Sequence, residues 1–359
     1  MGERTVIPFG PQHPVLPEPI HLDLVLEDET VVEAIPQIGY IHRGLEKLVE
    51  KKDFKQYVFV AERICGICSF IHSLGYCLSV EKVMGIEVPE RATFLRTMWS
   101  ELSRIHSHVL WMGLVADGYG FESLFMHSWR LREQILDLFE ETTGGRVIFS
   151  ACEVGGVRKD VTVEQLQKIK STMISFEKEL QEITNVFLND ASIKSRTKGV
   201  GVLTKQMAYD LGAVGPTLRA SGVASDLRST GYAAYGKLNF EPIIETDGDC
   251  YARTAVRIRE TFQSIDLVKQ CVDMMPEGDV RVDVKGNPDG ESFIRLEQPR
   301  GEVLYYTKAN GSKFLERYRV RTPTFANLAP LLEMLKGCDL ADVPVIVLSI
   351  DPCISCTER

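Results

Sequence analysis

The 359-residue chain contains no run of about 18 uninterrupted apolar residues, which excludes a membrane-spanning helix of ordinary length. Its opening, Met1-Gly2-Glu3-Arg4-Thr5-Val6-Ile7-Pro8, lacks the apolar core of a signal peptide. The chain is therefore expected to stay in the cytoplasm, with any membrane association supplied by partners. Basic blocks are absent too: 41 Lys and Arg stand against 50 Asp and Glu, a net charge of −9, so no nucleic-acid partner is expected. There is no internal repeat, low-complexity segment or linker. In a reducing compartment the nine cysteines argue against a disulfide framework and for metal or redox chemistry. Apart from two C-x-x-C pairs they form no grouping of iron-sulfur type, so no such cluster is expected in this chain.

What is present organises into three stretches. Over about the first 60 residues, Pro8, Pro11, Pro14, Pro17 and Pro19 exclude a helix, and His21 to Glu27 alternates apolar and polar as a strand does. A helical bundle is expected over about 88–190. Its first helix opens at Val88-Pro89, carries Phe94, Leu95, Met98, Trp99, Leu102, Ile105, Val109 and Met112, and stops near Asp117-Gly118. A second runs through Trp129, Ile135 and Phe139 and ends before Gly144-Gly145. The third starts at Thr162, which with Gln165 makes a capping box. Its seam of Leu166, Ile169, Met173, Phe176, Leu180, Ile183 and Phe187 implies about 40 Å of helix packed in a bundle. Beyond Gly199 the pattern is mixed, with strands at Glu302–Tyr306 and Tyr318–Arg321, and an apolar run from Val343 to Ile350 delivers the chain to its last residues. The class expected is α+β, predominantly α: a long-helix bundle with small peripheral β-sheets, interwoven as one domain.

Cys65 and Cys68 lie three positions apart, which lets both sulfurs face one metal, and Gly66 allows the tight turn between them. Cys353 and Cys356 repeat the spacing at the other end of the chain. Four thiolates suit zinc, copper(I), nickel or iron, and spacing does not choose among these. Structural zinc is the common reading. However, zinc pairs usually lie close in sequence and staple a small module, whereas these join the ends of a large one. A thioredoxin-like motif lacks its βαβ frame. The scattered Cys77, Cys152, Cys250, Cys271 and Cys338 read as core thiols.

The surroundings of the two pairs narrow this. Arg63-Ile64-Cys65-Gly66-Ile67-Cys68, followed by His72, and Asp351-Pro352-Cys353-Ile354-Ser355-Cys356, followed by Arg359, resemble the paired signatures of nickel-iron hydrogenase large subunits. Gly10-Pro11-Gln12-His13-Pro14 and Arg321-Thr322-Pro323-Thr324-Phe325-Ala326-Asn327-Leu328 are similar to the quinone-site subunit of respiratory complex I, which lacks the four cysteines. The resemblance spans essentially the whole chain and points to the energy-converting, Ech-type membrane-bound branch.

That resemblance implies the hydrogenase large-subunit fold and reversible heterolysis of dihydrogen at a nickel-iron centre. Cys65 and Cys353 would be terminal nickel ligands. Cys68 and Cys356 would bridge to an iron that also carries carbon monoxide and cyanide. His72 would donate toward the sulfur of Cys68, and Asp117 would be a carboxylate behind the ligands. Pro323 and Thr324 would line the pocket of the diatomic ligands. Cys353 would take the proton, Arg300 would stabilise separated charge, and Glu18 would relay the proton outward. Glu18 departs from the family's common R-I-E-G-H form and rests on the branch-specific Leu16-Pro17-Glu18-Pro19. Implied partners are a small subunit with a four-iron four-sulfur cluster, a ferredoxin-type iron-sulfur subunit, integral membrane ion-pumping subunits and maturation factors, with this chain peripheral on the cytoplasmic side of the membrane. The rival expectation is a zinc-bound or metal-free scaffold subunit of a complex I-like assembly.

Overall fold

A computed structural model describes residues 4–359. The N-terminal region forms a three-stranded antiparallel sheet of β1 (Arg4–Phe9), β2 (His21–Glu27) and β3 (Thr30–Gln37), with β2 central. Leu22, Leu24 and Leu26 point inward from β2 and the residues between them face out, the period-two burial that its alternation implies. Then follow α1 (Phe54–Glu62), α2 (Ser69–Met84), α3 (Glu90–Gly118), α4 (Glu122–Thr143), α5 (Val163–Asn189), the short α6 (Gly215–Arg219) and α7 (Cys250–Asp273). A second antiparallel sheet, β4 (Asp289–Gln298), β5 (Gly301–Asn310) and β6 (Leu315–Arg321), precedes α8 (Pro323–Ala326), α9 (Val343–Ser349) and α10 (Ile354–Thr357). About half the chain is helical and both main sheets are small, which is the α+β architecture expected. No described helix is long and apolar enough to cross a membrane.

Four long helices pack as a ring in which α3 touches α4 and α7, and α5 touches the same two. The helix boundaries follow local chemistry. Thr162 Oγ1 accepts from the Gln165 amide while Gln165 Oε1 accepts from the Thr162 amide, closing the capping box, and the whole expected seam of α5 is buried. Helix α3 is buried on nearly every side, with α4 and α7 of the ring and also α9 and α2 packed against it. The fourth member, α7, runs 24 residues through a region whose sequence reads only as mixed. Its buried face carries Arg253, Arg257, Glu260, Thr261 and Ser264, so the apolar periodicity that signals a packed helix is missing there.

Of these, Glu260 belongs to a buried ion network and Ser264 donates to Glu101 within it. Arg219 reaches Glu260 at 2.7 Å and Glu297 at 2.8 Å; Arg228 pairs with Asp226 at 2.8 Å and Glu101 at 3.2 Å; Arg104 pairs with Glu101 at 3.3 Å; His108 meets Glu260 at 3.0 Å. Two carboxylates respond in opposite senses. Burial works against ionising Glu260, but Arg219 and its hydrogen bond to His108 outweigh it and hold Glu260 down to about 2. Burial, with the nearby Asp226 charge, pushes Glu297 up to about 7. Between the ordinary carboxyl range and pH 7 the folded state therefore keeps a proton on Glu297 that the unfolded chain releases, so Glu297 makes stability fall as pH rises through that window and then level off. Glu297→Gln should remove this component. We expect a parent-minus-variant stability difference that shrinks by about 3 kcal/mol at most between pH 4.5 and 7, measured by urea titration at both ends. A constant difference would contradict the protonated Glu297.

Two buried cores flank the cysteines. Ile64 and Phe70, around the first pair, belong to the core of the bundle and second sheet. Ile350 and Ile354, around the second pair, belong to the core formed with the N-terminal sheet. The four cysteines make a separate cluster of their own at this junction.

Candidate metal centre

Each cysteine pair sits where a loop turns into a helix. Cys68 is the N-cap of α2 and Cys353 the N-cap of α10, and neither helix has a side-chain cap of its own from that residue. Cys65 Sγ lies 3.3 Å from Cys353 Sγ, and Cys68 Sγ lies 3.3 Å from Cys356 Sγ. Cys65, Cys68 and Cys356 have their sulfurs within 4.8 Å of one another, and all four residues are buried. Hydrogen bonds from Cys353 and the other thiols hold Cys65 well below the ordinary thiol range, while burial pushes Cys68 and Cys356 up. The hydrogen bond with Cys356 brings Cys353 down to about 7. Four buried sulfurs gathered this closely form a donor set that suits a soft metal ion.

Glu18 reaches this site from the proline-rich loop between β1 and β2. Its Oε2 accepts from the Ile354 amide and, at 3.0 Å, from the Ser355 amide, and Oε1 accepts from Ser355 Oγ at 2.7 Å. The carboxylate thus caps α10 and stands 4.0 Å from Cys353 Sγ. Burial and then the Cys353 charge push Glu18 up to about 7. The Thr324 hydroxyl accepts from the Cys353 amide at 3.0 Å, which leaves its own proton free to donate, and Pro323 opens α8 beside it, buried.

Arg300 occupies the two-residue turn between β4 and β5, where Gln298 pairs with Gly301. Gly301 has φ +130°, and a side chain there would strike the Gly215 backbone, so glycine is required for this turn to approach α6. The guanidinium donates to the Asp351 carbonyl and to Asp351 Oδ1, both at 2.8 Å, and to Ser107 Oγ at 3.4 Å. Burial opposes its charge, but Asp351 and then Cys353, Cys65 and Cys68 more than offset that, so Arg300 stays charged beside the thiols.

Two expected placements need correction. His72 faces the other sulfur: Nε2 lies 3.3 Å from Cys356 Sγ, not on Cys68, because α2 begins at Ser69 and carries His72 past its own pair toward the opposite one. Asp117 is exposed at the end of α3 and its side chain bonds none of the site residues. Besides Glu18, the carboxylate near the cysteines is Asp351, which the C-terminal motif contains without signalling its bond to Arg300.

Other contributors carry no spacing signal. Tyr305 OH lies 3.0 Å from His72 Nδ1, and Gln298 Nε2 lies 3.2 Å from His72 Nε2. Burial holds His72 down to about 3, so its ring is neutral. Gly75, one turn on from His72, leaves room for the Tyr305 ring, which an added methyl would strike. Gly75→Ala should cost about 1–3 kcal/mol and displace Tyr305 from His72, measured by thermal unfolding and by the tyrosine's environment in ultraviolet difference spectra; an unperturbed variant would contradict this packing. Arg43 joins the two cysteine loops, donating to the Arg63, Ile64 and Ser355 carbonyls at 3.0, 2.9 and 2.9 Å. Arg359 donates to Glu46 at 2.7 Å and to the Cys356 carbonyl at 3.3 Å, fastening the last turn.

The chain belongs to the family that unites nickel-dependent hydrogenase large subunits with the 49 kDa subunit of the respiratory-chain NADH dehydrogenase. The family model for the latter matches residues 118–287 and 283–359, and that for nickel-dependent hydrogenase matches 43–115. Within it the chain falls with the membrane-bound, energy-converting hydrogenase subunits. It is 40% identical to the membrane-bound hydrogenase subunit alpha of Pyrococcus furiosus, over 98% of this chain and 87% of the relative. It is 39% identical to the carbon monoxide-induced hydrogenase of Rhodospirillum rubrum, over 98% and 99%. Against an NADH-quinone oxidoreductase subunit of Koribacter versatilis the identity is 36%, over 99% and 96%.

Proposed function

We propose that this chain is the catalytic subunit of a nickel-iron hydrogenase that reversibly cleaves or forms dihydrogen. The carrying observation is the meeting of four buried thiols from opposite ends of the chain with a carboxyl of raised affinity for protons against one of them. Cys65 and Cys353 would hold the nickel, and Cys68 and Cys356 would help to hold both nickel and iron. The donor set fits: soft thiolates suit these ions, and the buried Pro323 and the Thr324 hydroxyl stand beside Cys353. When bound, such a centre supplies the electron-accepting, polarising position at which dihydrogen is split.

The protein's own part is proton handling and charge. Cys353 takes the proton, since it is the terminal thiol that touches Glu18. Glu18 receives it and passes it outward past Pro11, His13 and Pro17, which with it line one cavity. Arg300, held by Asp351, stabilises the separated charge in a site with little water to screen it. Electrons pass to a partner small subunit with a four-iron four-sulfur cluster and on to ferredoxin, and partner membrane subunits use the energy to move ions, with this chain peripheral on the cytoplasmic face. Isotope exchange on the purified complex tests the reading: deuterium gas in ordinary water should yield mixed hydrogen deuteride, and a complex with full metal content that produced none would overturn it.

A further inference from the structure

Behind the site, two charged groups are buried with atoms that lack the partners their chemistry demands. Asp351 gives Oδ1 to Arg300, but its Oδ2 is buried and accepts no hydrogen bond among the described residues. On α7, Arg257 is fully buried; its guanidinium lies 4.5 Å from the Trp111 ring centroid, and Nη1 donates to the Arg253 carbonyl at 3.1 Å. Its Nε and Nη2 donate to nothing among the described residues, and no carboxylate there bonds it. Buried polar groups in folded proteins are almost always hydrogen-bonded, and a buried charge left alone is costly.

The two deficits match. One is an acceptor oxygen, the other a planar fork with two spare donors, a shape suited to carboxylates. The charges that reach Arg257 come from its own helix (Arg253, Glu260), from His108 on α3, from Arg300 at the β4–β5 turn and from Asp351. Burial lowers its hold on the proton, to about 10, and Asp351 is the strongest influence supporting its charge. Glu260 is already taken by Arg219 and His108, so Asp351 is the carboxylate with a free oxygen.

We propose that Arg257 is a positioning residue for Arg300: its spare donors hold Asp351 Oδ2, directly or through one ordered water, so that Asp351 is gripped on both oxygens and keeps Arg300 fixed beside the four cysteines. Asp351 immediately precedes Pro352-Cys353, and its backbone carbonyl also accepts from Arg300, so the same grip steadies the loop that carries a metal-site thiol. Helix α7 thereby links the site to the interior ion network through Arg257 and Glu260, one turn apart.

The spectroscopic consequence rests on the hydrogenase reading; the positional one does not. In the assembled complex, Arg257→Met keeps the stem and removes the donors. A high-resolution structure of it should show the Asp351 carboxylate turned and Arg300 moved off Ser107. Metal content should be unchanged, the carbon monoxide and cyanide stretches should move by more than the parent linewidth, and isotope exchange should fall about 10- to 100-fold. Arg257→Lys, which keeps charge but not the fork, should return the stretches most of the way to the parent positions. Asp351 and Arg300 found in place in Arg257→Met, or stretches unmoved, would overturn the proposal. If Arg257→Met does not assemble, Arg257→Lys decides: an ammonium on Asp351 Oδ2 supports the grip, and one turned away with Arg300 undisturbed refutes it. A parent complex without the diatomic stretches would count against the hydrogenase reading, and the position of Arg300 in the variants would still settle the role of Arg257.

Discussion

Cys356→Ser should leave the assembled complex with about a tenth or less of the parent's nickel and iron while the fold survives. Cys356 is tied into the site by both its sulfur and its backbone. Its sulfur meets Cys68 Sγ and His72 Nε2, both at 3.3 Å, and its carbonyl accepts from Thr322 Oγ1 at 3.2 Å and from Arg359. Serine matches cysteine in shape, so those backbone bonds persist, but its hydroxyl does not ionise in the working range and is a hard, poor ligand for soft metals. Burial pushes the Cys356 thiol itself well up, so in the proposed centre its ionisation would be driven by the bound metal. Metal analysis on the purified variant complex is the measurement. A full nickel and iron complement would remove Cys356 from the centre.

Glu18→Gln should produce the opposite dissociation: metals retained, proton exchange lost by about 100- to 1,000-fold. The carboxamide oxygen can still accept from the Ile354 and Ser355 amides, so the cap of α10 is preserved in kind. What disappears is a group able to take a proton from Cys353 Sγ at 4.0 Å and release it toward solvent. Mixed hydrogen-deuterium gas from the variant at the parent rate, with normal metal content, would take Glu18 off the proton path. Loss of metal together with exchange would instead assign it to holding α10.

The parts of this molecule legible in its sequence are those in which one local rule suffices. Helix α5 is set by an amphipathic seam and a capping box; α3 and α4 by apolar spacing and stop signals; the cysteine pairs by adjacency in the chain. Each needs only neighbours within a turn or two. Helix α7 is not legible because Arg253, Arg257 and Glu260 face inward, and burial of the Glu260 charge becomes tolerable only once Arg219 and His108 arrive from elsewhere. The same holds at the site. Asp117 and Asp351 both stand near glycine- or proline-marked turns, and only the tertiary approach of the β4–β5 turn shows that Asp351 is the one that meets Arg300. Likewise the choice of Cys356 over Cys68 by His72 depends on how α2 and α10 meet, and no spacing within either motif encodes that.

Metal analysis joined to infrared spectroscopy on the purified native complex tests the central claim most directly. About one nickel and one iron per chain, with carbon monoxide and cyanide stretches that vanish in Cys356→Ser, is the expected result. Stoichiometric zinc, or no metal, with no such stretches would contradict it and leave the chain as a scaffold that keeps four cysteines without the chemistry of dihydrogen.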